Sequence, residues 1–100
     1  MFLFNKVATI SAAELTECLS QKPVIIDVRE KEEFARGHIP GAKNMPLGEL
    51  DQYQGKKTKV YVVCQSGMRS KQGAILLNAK GYEAVNLTHG MIGWNGPVKP

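Results

Sequence analysis

One hundred residues with 43% hydrophobic and 22% charged side chains suffice for one small domain with its own core, and exclude a disordered or low-complexity chain. Thirteen Lys and Arg against nine Asp and Glu leave a net charge of +4; the dense basic group, Lys56, Lys57 and Lys59, is explained by a solvated turn before a strand, so no nucleic-acid partner is expected and the excess serves at most to attract small anions. No run approaches the ~18 apolar residues of a membrane span, and the stretch from Met1 to Lys6 lacks the basic and apolar regions of a secretion signal. A cytoplasmic protein is therefore expected, with no membrane contact and with Cys18 and Cys64 kept reduced.

In chain order, Asn5 to Thr9 is a first short strand. Ser11 followed three residues later by Glu14 forms a capping box, and Leu15, Cys18 and Leu19 share one stripe, which predicts a helix from Ala12 to Ser20 with Cys18 as a core residue. After Pro23, the run Val24-Ile25-Ile26-Asp27-Val28 is apolar except for its acid, the pattern of a central strand covered on both faces. Glu30 to Ala35 predicts a short helical turn. Gly37, Pro40, Gly41 and Pro46 then punctuate an irregular connection, and Leu47 to Tyr53 forms another helical turn. Val60-Tyr61-Val62-Val63 is a second buried strand, ending at Cys64. Ser70 to Lys80, with Ala74, Ile75, Leu76, Leu77 and Ala79, predicts a helix that packs on the sheet and stops at Gly81. Ala84 to Leu87 is the last strand. Strands alternating with helices predict a three-layer α/β domain, a central mostly parallel sheet flanked by helices, that occupies residues 1–100 as a single unit without internal repeats.

The chemistry concentrates in Cys64-Gln65-Ser66-Gly67-Met68-Arg69-Ser70, which leaves a buried strand and opens a helix. A loop so placed can turn backbone N–H groups inward, and the helix start adds unpaired donors and a positive end. Such surroundings lower a thiol pKa from ~8.5 to ~7 or below, so Cys64 is expected to be substantially thiolate. Gly67 supplies the positive φ that a ring-like loop demands. Arg69 stands where its guanidinium can brace the loop or meet a substrate anion, and Ser70 can cap the helix or bond to the loop. From the first half of the chain come Asp27, Arg29, Arg36 and His38. Asp27 lies at the carboxyl end of a central strand, where α/β sheets bind ligands, and is a candidate to anchor the loop amides. His38, beside the Ile39-Pro40-Gly41 turn, is better read as tying that turn down than as a general base. No metal-ligand spacing, dinucleotide fingerprint or phosphate loop is present, so neither metal nor cofactor is expected.

These residues resemble the rhodanese family. Asp27-Val28-Arg29, Glu33-Phe34, Gly37-His38-Ile39-Pro40-Gly41-Ala42 and Asn44 are similar to its first signature. Cys64 to Ser70 is similar to its Cys-x-x-Gly-x-Arg-Ser active loop, while Gly81-Tyr82 and Leu87 to Trp94 resemble its closing strand and helix. The resemblance implies a sulfurtransferase in which Cys64 takes a sulfane sulfur from a donor such as thiosulfate and passes it to cyanide or a thiol, by covalent two-step catalysis. It further implies that amides from Gln65 to Arg69 hold the persulfide, that Arg69 braces the loop, and that Asp27 and Arg29 stabilise the fold beneath. Gln65, Ser66 and the uncharged Met68 are then at the entrance and select the donor. Where the family often has paired glycines, this chain has His89-Gly90, with His89 read as a cap of the last helix or a lining of the pocket mouth.

Two other readings share this chemistry. A cysteine-dependent phosphatase or arsenate reductase also combines Cys, backbone cradle and Arg, but the resemblance gives it a loop one residue longer, and no acid to protonate a leaving group is evident near Cys64. A sulfur carrier or regulatory module of the same family, receiving persulfide from one protein and presenting it to another, is the stronger alternative. A monomer is expected, because exposed aromatic residues are few.

Overall fold

The computed structural model describes residues 6–100; Asn5 of the first strand reading and most of the secretion-signal reading lie outside the described residues. The chain forms β1 (Ala8–Ile10), α1 (Ala12–Cys18), β2 (Val24–Asp27), α2 (Lys31–Ala35), β3 (Lys43–Asn44), β4 (Lys59–Val63), α3 (Met68–Ala79) and β5 (Glu83–Leu87). Short 3₁₀ turns cover Leu19–Gln21, Leu47–Gln52 and Gly90–Gly93. The strands form one sheet in the order β1-β5-β4-β2-β3, and each of these pairings is parallel.

Successive side chains of a strand point to opposite faces, and here both faces are covered. Ile26, Val28, Val60, Val62 and Ala84 pack with Ala74 and Leu77 of α3 and with Leu50, while Ile25, Val63 and Leu87 pack with Leu15 of α1 and with Ile39 and Trp94. Two apolar layers thus sandwich the sheet, as the unbroken runs in β2 and β4 predict. Ile26, Val60, Val62 and Val63 have no exposed surface, and each such burial is worth roughly 1.5–3 kcal/mol before entropy is charged against it.

Several boundaries differ from the sequence expectations. The first helix closes at Cys18 and tightens into 3₁₀ geometry over Leu19–Gln21, where Lys22 turns left-handed (φ +55°) and stops it. Inside the connection read as irregular, Lys43 and Asn44 pair with Ile26 and Asp27 as a fifth strand. Two residues without an apolar pattern carry no strand signal of their own; here the pairing is set by Asp27, whose carbonyl accepts from Met45 N and Asn44 Nδ2. Helix α3 begins at Met68 and is preceded by Gly67 at φ +104°. Gly81, at φ +97°, follows its end. Among the described residues no helix is long and apolar enough to cross a membrane.

Candidate functional site

The carboxyl ends of β2 and β4 deliver the Asp27–Arg29 stretch and the Cys64–Ser70 loop to one edge of the sheet. Strand β4 ends at Val63, Cys64 opens a tight loop directly after it, and α3 starts four residues further on, at Met68. Gly67 holds a backbone conformation that other residues adopt only with strain. Its amide therefore turns back and donates to Cys64 Sγ at 3.0 Å. The Ser70 hydroxyl lies 3.3 Å from the same sulfur. No side chain caps the start of α3, which leaves its first amides free to face the sulfur.

The thiol itself has no solvent-exposed surface. Burial alone pushes its pKa up, but the Ser70 hydroxyl and the amides of Ser70, Gly67 and Ser66 outweigh that effect and hold it below the ordinary thiol value. The charge is stabilised chiefly by hydrogen bonds, and the Cys64 charge also acts on the Arg69 guanidinium.

The loop is held in place from behind. Met91 N donates to Cys64 O at 2.8 Å and Ile92 N to Gln65 O at 3.0 Å. Pinning these two carbonyls outward is what turns the following amides inward. Gly90 makes this possible, since a Cβ there would lie 2.4 Å from Cys64 O. His89 takes a left-handed conformation, φ +64°, at the position before the Gly90–Gly93 turn; it starts that turn without a side-chain capping bond and its side chain is exposed.

Arg69 makes no hydrogen bond to the sulfur. Its guanidinium forms a two-pronged pair with Glu33 of α2, at 2.8 and 3.0 Å. That contact pulls the Glu33 carboxyl down to about 2 and raises Arg69. Arg69 thus ties the loop to α2, while the sequence left its partner open between loop and substrate.

Asp27 does not bind the loop amides either. Both its carboxylate oxygens accept from Arg29, through the Arg29 amide at 3.0 Å, Nε, and Nη2 at 2.8 Å. The pair is buried on both sides, with side-chain exposures of 5% and 1%. A buried carboxylate two residues from an arginine satisfies that arginine's fork locally and lets its remaining donors reach further. Arg29 accordingly donates to Gly37 O at 2.7 Å and makes a long contact, 3.4 Å, with Gln65 Oε1. Asn44 Nδ2 closes the frame on the carbonyls of Asp27 and Arg29.

His38 sits in that frame and away from the cysteine loop. Its ring stacks on Phe34 at 3.7 Å, its Nδ1 donates to Phe34 O at 2.9 Å, and its backbone pairs with Lys99. Gln65, Ser66 and Met68 are exposed on the loop, Met68 at 74%. Beside the loop opens a cleft of about 490 Å³ lined by Arg29, Glu33, Arg36, Gly37, Gln65, Met91 and Val98. Arg29 and Glu33 are engaged there by Asp27 and Arg69, while Arg36 forms no ion pair among the described residues. No group of three or more candidate ligands able to hold a metal occurs among the described residues.

Sequence reasoning missed two parts of this site. One is Glu33 as the partner of Arg69, for which a carboxylate in the first signature was the available signal. The other is Asn86, a buried amide on β5 that contacts both Ser70 and Gly67. A lone polar residue in the apolar run Ala84 to Leu87 was its signal, because a buried amide must find partners.

Comparison with known proteins agrees with this architecture. The family model described as "Rhodanese-like domain" matches residues 11–97. "Putative sulfurtransferase YtwF" of Bacillus subtilis is 38% identical over 100 residues, covering 95% of this chain and 97% of that protein. "Putative sulfur carrier protein YrkF" of the same organism is 38% identical over 79 residues, which are 75% of this chain and 43% of that protein; this chain resembles less than half of it. Among solved structures, a rhodanese-related protein of Thermoplasma volcanium superposes with a TM-score of 0.84 at 30% identity, covering 92% of this chain and 97% of that one.

Proposed function

This chain belongs to the rhodanese family, and on that premise we propose that it carries sulfane sulfur as a Cys64 persulfide, taking it from a donor and handing it to a thiol. Loading is a displacement. The Cys64 thiolate attacks the outer sulfur of the donor, a new S–S bond forms, and the donor's S–S bond breaks with its electron pair leaving on the departing group. With thiosulfate as donor the departing group is sulfite, and the negative charge passes to the terminal sulfur of the persulfide. A thiol acceptor then attacks that terminal sulfur and Cys64 leaves as the thiolate, the two-step pattern of covalent catalysis. The backbone amides of Ser66, Gly67 and Ser70 and the Ser70 hydroxyl stabilise the Cys64 thiolate that attacks the donor and that leaves again when the acceptor attacks.

The observation that carries this reading is a thiol held below its ordinary pKa by inward amides although it is fully buried. A shielded sulfur suits retention between donor and acceptor better than rapid exchange with small molecules. The likeness to a protein named as a sulfur carrier supports carriage over fast thiosulfate-to-cyanide turnover. Arg36 at the cleft offers the donor anion an uncommitted cation, and Gln65, Ser66 and Met68 present the surface that a protein donor or acceptor meets. The protein is proposed to act as a monomer without metal or cofactor.

Intact-mass analysis after incubation with thiosulfate tests the reading. A gain of ~32 Da is expected, absent in Cys64→Ser and removed by cyanide or by a thiol. For a carrier, the adduct also outlasts removal of the donor and discharges on addition of a thiol. No adduct from thiosulfate or from a low-molecular-weight persulfide would rule out sulfur transfer through Cys64, and an adduct that turns over with cyanide faster than with any thiol would favour the thiosulfate:cyanide enzyme.

A further inference from the structure

The Ser70 hydroxyl has a single hydrogen and two acceptors within reach. Cys64 Sγ is 3.3 Å away and Asn86 Oδ1 is 2.5 Å away. A hydroxyl donates only once, so these two contacts cannot both be donated by Ser70. With a neutral thiol the chain of bonds runs in one direction: Cys64 S–H points at Ser70, and Ser70 O–H points at Asn86. In the thiolate the sulfur has no hydrogen to give and becomes the stronger acceptor. Ser70 must then rotate its hydrogen to the sulfur, and Asn86 Oδ1 loses its donor in a nearly closed site, being on a residue only 7% exposed. A buried acceptor without a donor costs more than the bond itself is worth.

The amide of Asn86 cannot turn to escape this. Its Nδ2 donates to Gly67 O at 3.2 Å, and flipping the group would set two carbonyl oxygens against each other. The same Gly67 gives its own N–H to the sulfur. One side chain on β5 therefore orients both sources of sulfur stabilisation, the hydroxyl and the amide.

We propose that Asn86 is a positioning residue that competes with the Cys64 sulfur for the Ser70 hydrogen, so that the site favours the bare thiolate less than it would without Asn86, relative to the states in which Sγ carries no charge, the thiol and the persulfide. In the persulfide the charge sits on the terminal sulfur, Sγ is a poor acceptor, and the Ser70–Asn86 bond is restored. Loading is thereby favoured relative to the empty anion, and the empty protein is less reactive toward adventitious electrophiles. Asn86 touches neither donor nor acceptor; it acts through Ser70.

The other charged groups near the sulfur do not supply this competition. From α3, Arg69 is bound by Glu33 of α2, and Lys71 is exposed. From the end of β2, Asp27 and Arg29 are bound to each other. The closing turn Gly90–Gly93 is uncharged, and His89 before it is exposed. Each of these is left intact by a change at Asn86.

The inference rests on Cys64 being the reactive thiol, yet its test needs no sulfur donor. The measurement is the pH dependence of Cys64 alkylation by iodoacetamide, read on the Cys64 peptide by mass so that Cys18 does not contribute. It is made for Asn86→Ala, Ser70→Ala and the double variant. Removing Asn86 also frees Gly67 O, an effect present whether or not Ser70 is there; only the hydrogen competition needs both residues. The alkylation midpoint of Asn86→Ala relative to the unmodified chain is expected to lie about half a unit to one unit lower than the same comparison made in the Ser70→Ala background, a three- to tenfold gain in rate below the midpoint. Equal shifts in the two backgrounds overturn the proposal. If Asn86→Ala does not fold, Asn86→Asp keeps the acceptor and adds charge, and its midpoint is expected to rise; an unchanged or lowered midpoint overturns the proposal equally. Loss of persulfide loading with the titration as expected would instead count against the sulfur-carrier reading alone.

Discussion

Replacing Gly90 by alanine isolates the part of the site that the backbone alone supplies. The added Cβ would lie 2.4 Å from Cys64 O and 2.7 Å from both the carbonyl carbon and oxygen of Gln65. Those are main-chain atoms of the cysteine loop and have no rotamer into which to retreat, so the closest contact must open to at least 3.0 Å by moving the loop or the closing turn. Either movement strains the bonds from Met91 N and Ile92 N to the two carbonyls, and the amides of Gln65 and Ser66, which share their peptide planes, turn with them. Gly90 also has φ +55°, where a side chain costs ~1–2 kcal/mol. Two weakened backbone bonds add about 1 kcal/mol each. The expected loss is about 3–4 kcal/mol in urea unfolding, within the reserve of a small domain. Misplacing a reacting group by 1 Å can cost ~100-fold, and this smaller displacement is expected to slow persulfide loading from thiosulfate roughly tenfold, measured by intact mass. Gly48→Ala is the control, since nothing lies within 4 Å of its added carbon and a change within ~0.5 kcal/mol is expected. Loading of Gly90→Ala within twofold of the unmodified chain, at an unchanged urea midpoint, would refute the claim that the closing turn sets the loop.

Two further substitutions probe the surroundings. Glu33→Gln removes the partner of Arg69; the folded-state pKa of Glu33 is depressed to about 2, so its contribution is full above the unfolded value near 4.5 and fades as pH falls towards 2. Because Arg69 is 37% exposed, solvent screening reduces the effect to about 1 kcal/mol, and urea unfolding at pH 7 and pH 3 should show the gap between the two proteins shrinking in acid; a constant gap would contradict the pairing. His89→Gly relieves a left-handed residue and is expected to raise stability by about 0.5–1 kcal/mol, the strain removed less the extra freedom of glycine in the unfolded chain. It should also make Gly93→Ala harmless, since the carbon added there meets His89 Cβ at 3.0 Å; an equal penalty with and without His89 would dismiss that contact.

What the sequence made legible follows from range. The strands β2 and β4 and the helix α3 are coded by runs of apolar residues and by the glycine after α3, so their place and order were readable. The fifth strand was not, because Lys43 and Asn44 are held by partners supplied by Asp27 and lack any periodicity of their own. The same holds within the site. Cys64, Gly67 and Ser70 lie within one loop and could be assembled from spacing. Arg69 and Asp27 were placed in the right region, but the partner of Arg69 was left open and the loop amides offered as one partner for Asp27 are not the groups it binds, since a local pattern states which residue is charged but not which opposite charge the fold brings to it. Asn86 and Gly90 act across the sheet edge on a loop some twenty residues earlier, and only the parallel pairing of β4 with β5 brings them there.

The contacts that join the two halves of the site carry an argument about where variation is tolerated. Arg29 with Gln65 and Glu33 with Arg69 each link residues 36 positions apart, and in both cases the arginine is neutralised by a carboxylate of the first half, Asp27 or Glu33. Neither arginine donates a hydrogen bond to the sulfur. The anion is stabilised instead by amides and one hydroxyl, whose directions depend on backbone shape and on Asn86. In a frame built this way Gly67, Ser70, Asn86 and Gly90 bear directly on the donors aimed at the sulfur, while Asp27, Arg29 and Glu33 brace the elements around the loop. Gln65, Ser66, Met68 and Arg36 are exposed and outside that set. Changes at Ser66, Met68 and Arg36 are expected to leave the cradle undisturbed, whereas a change at Gln65 also removes its long contact with Arg29.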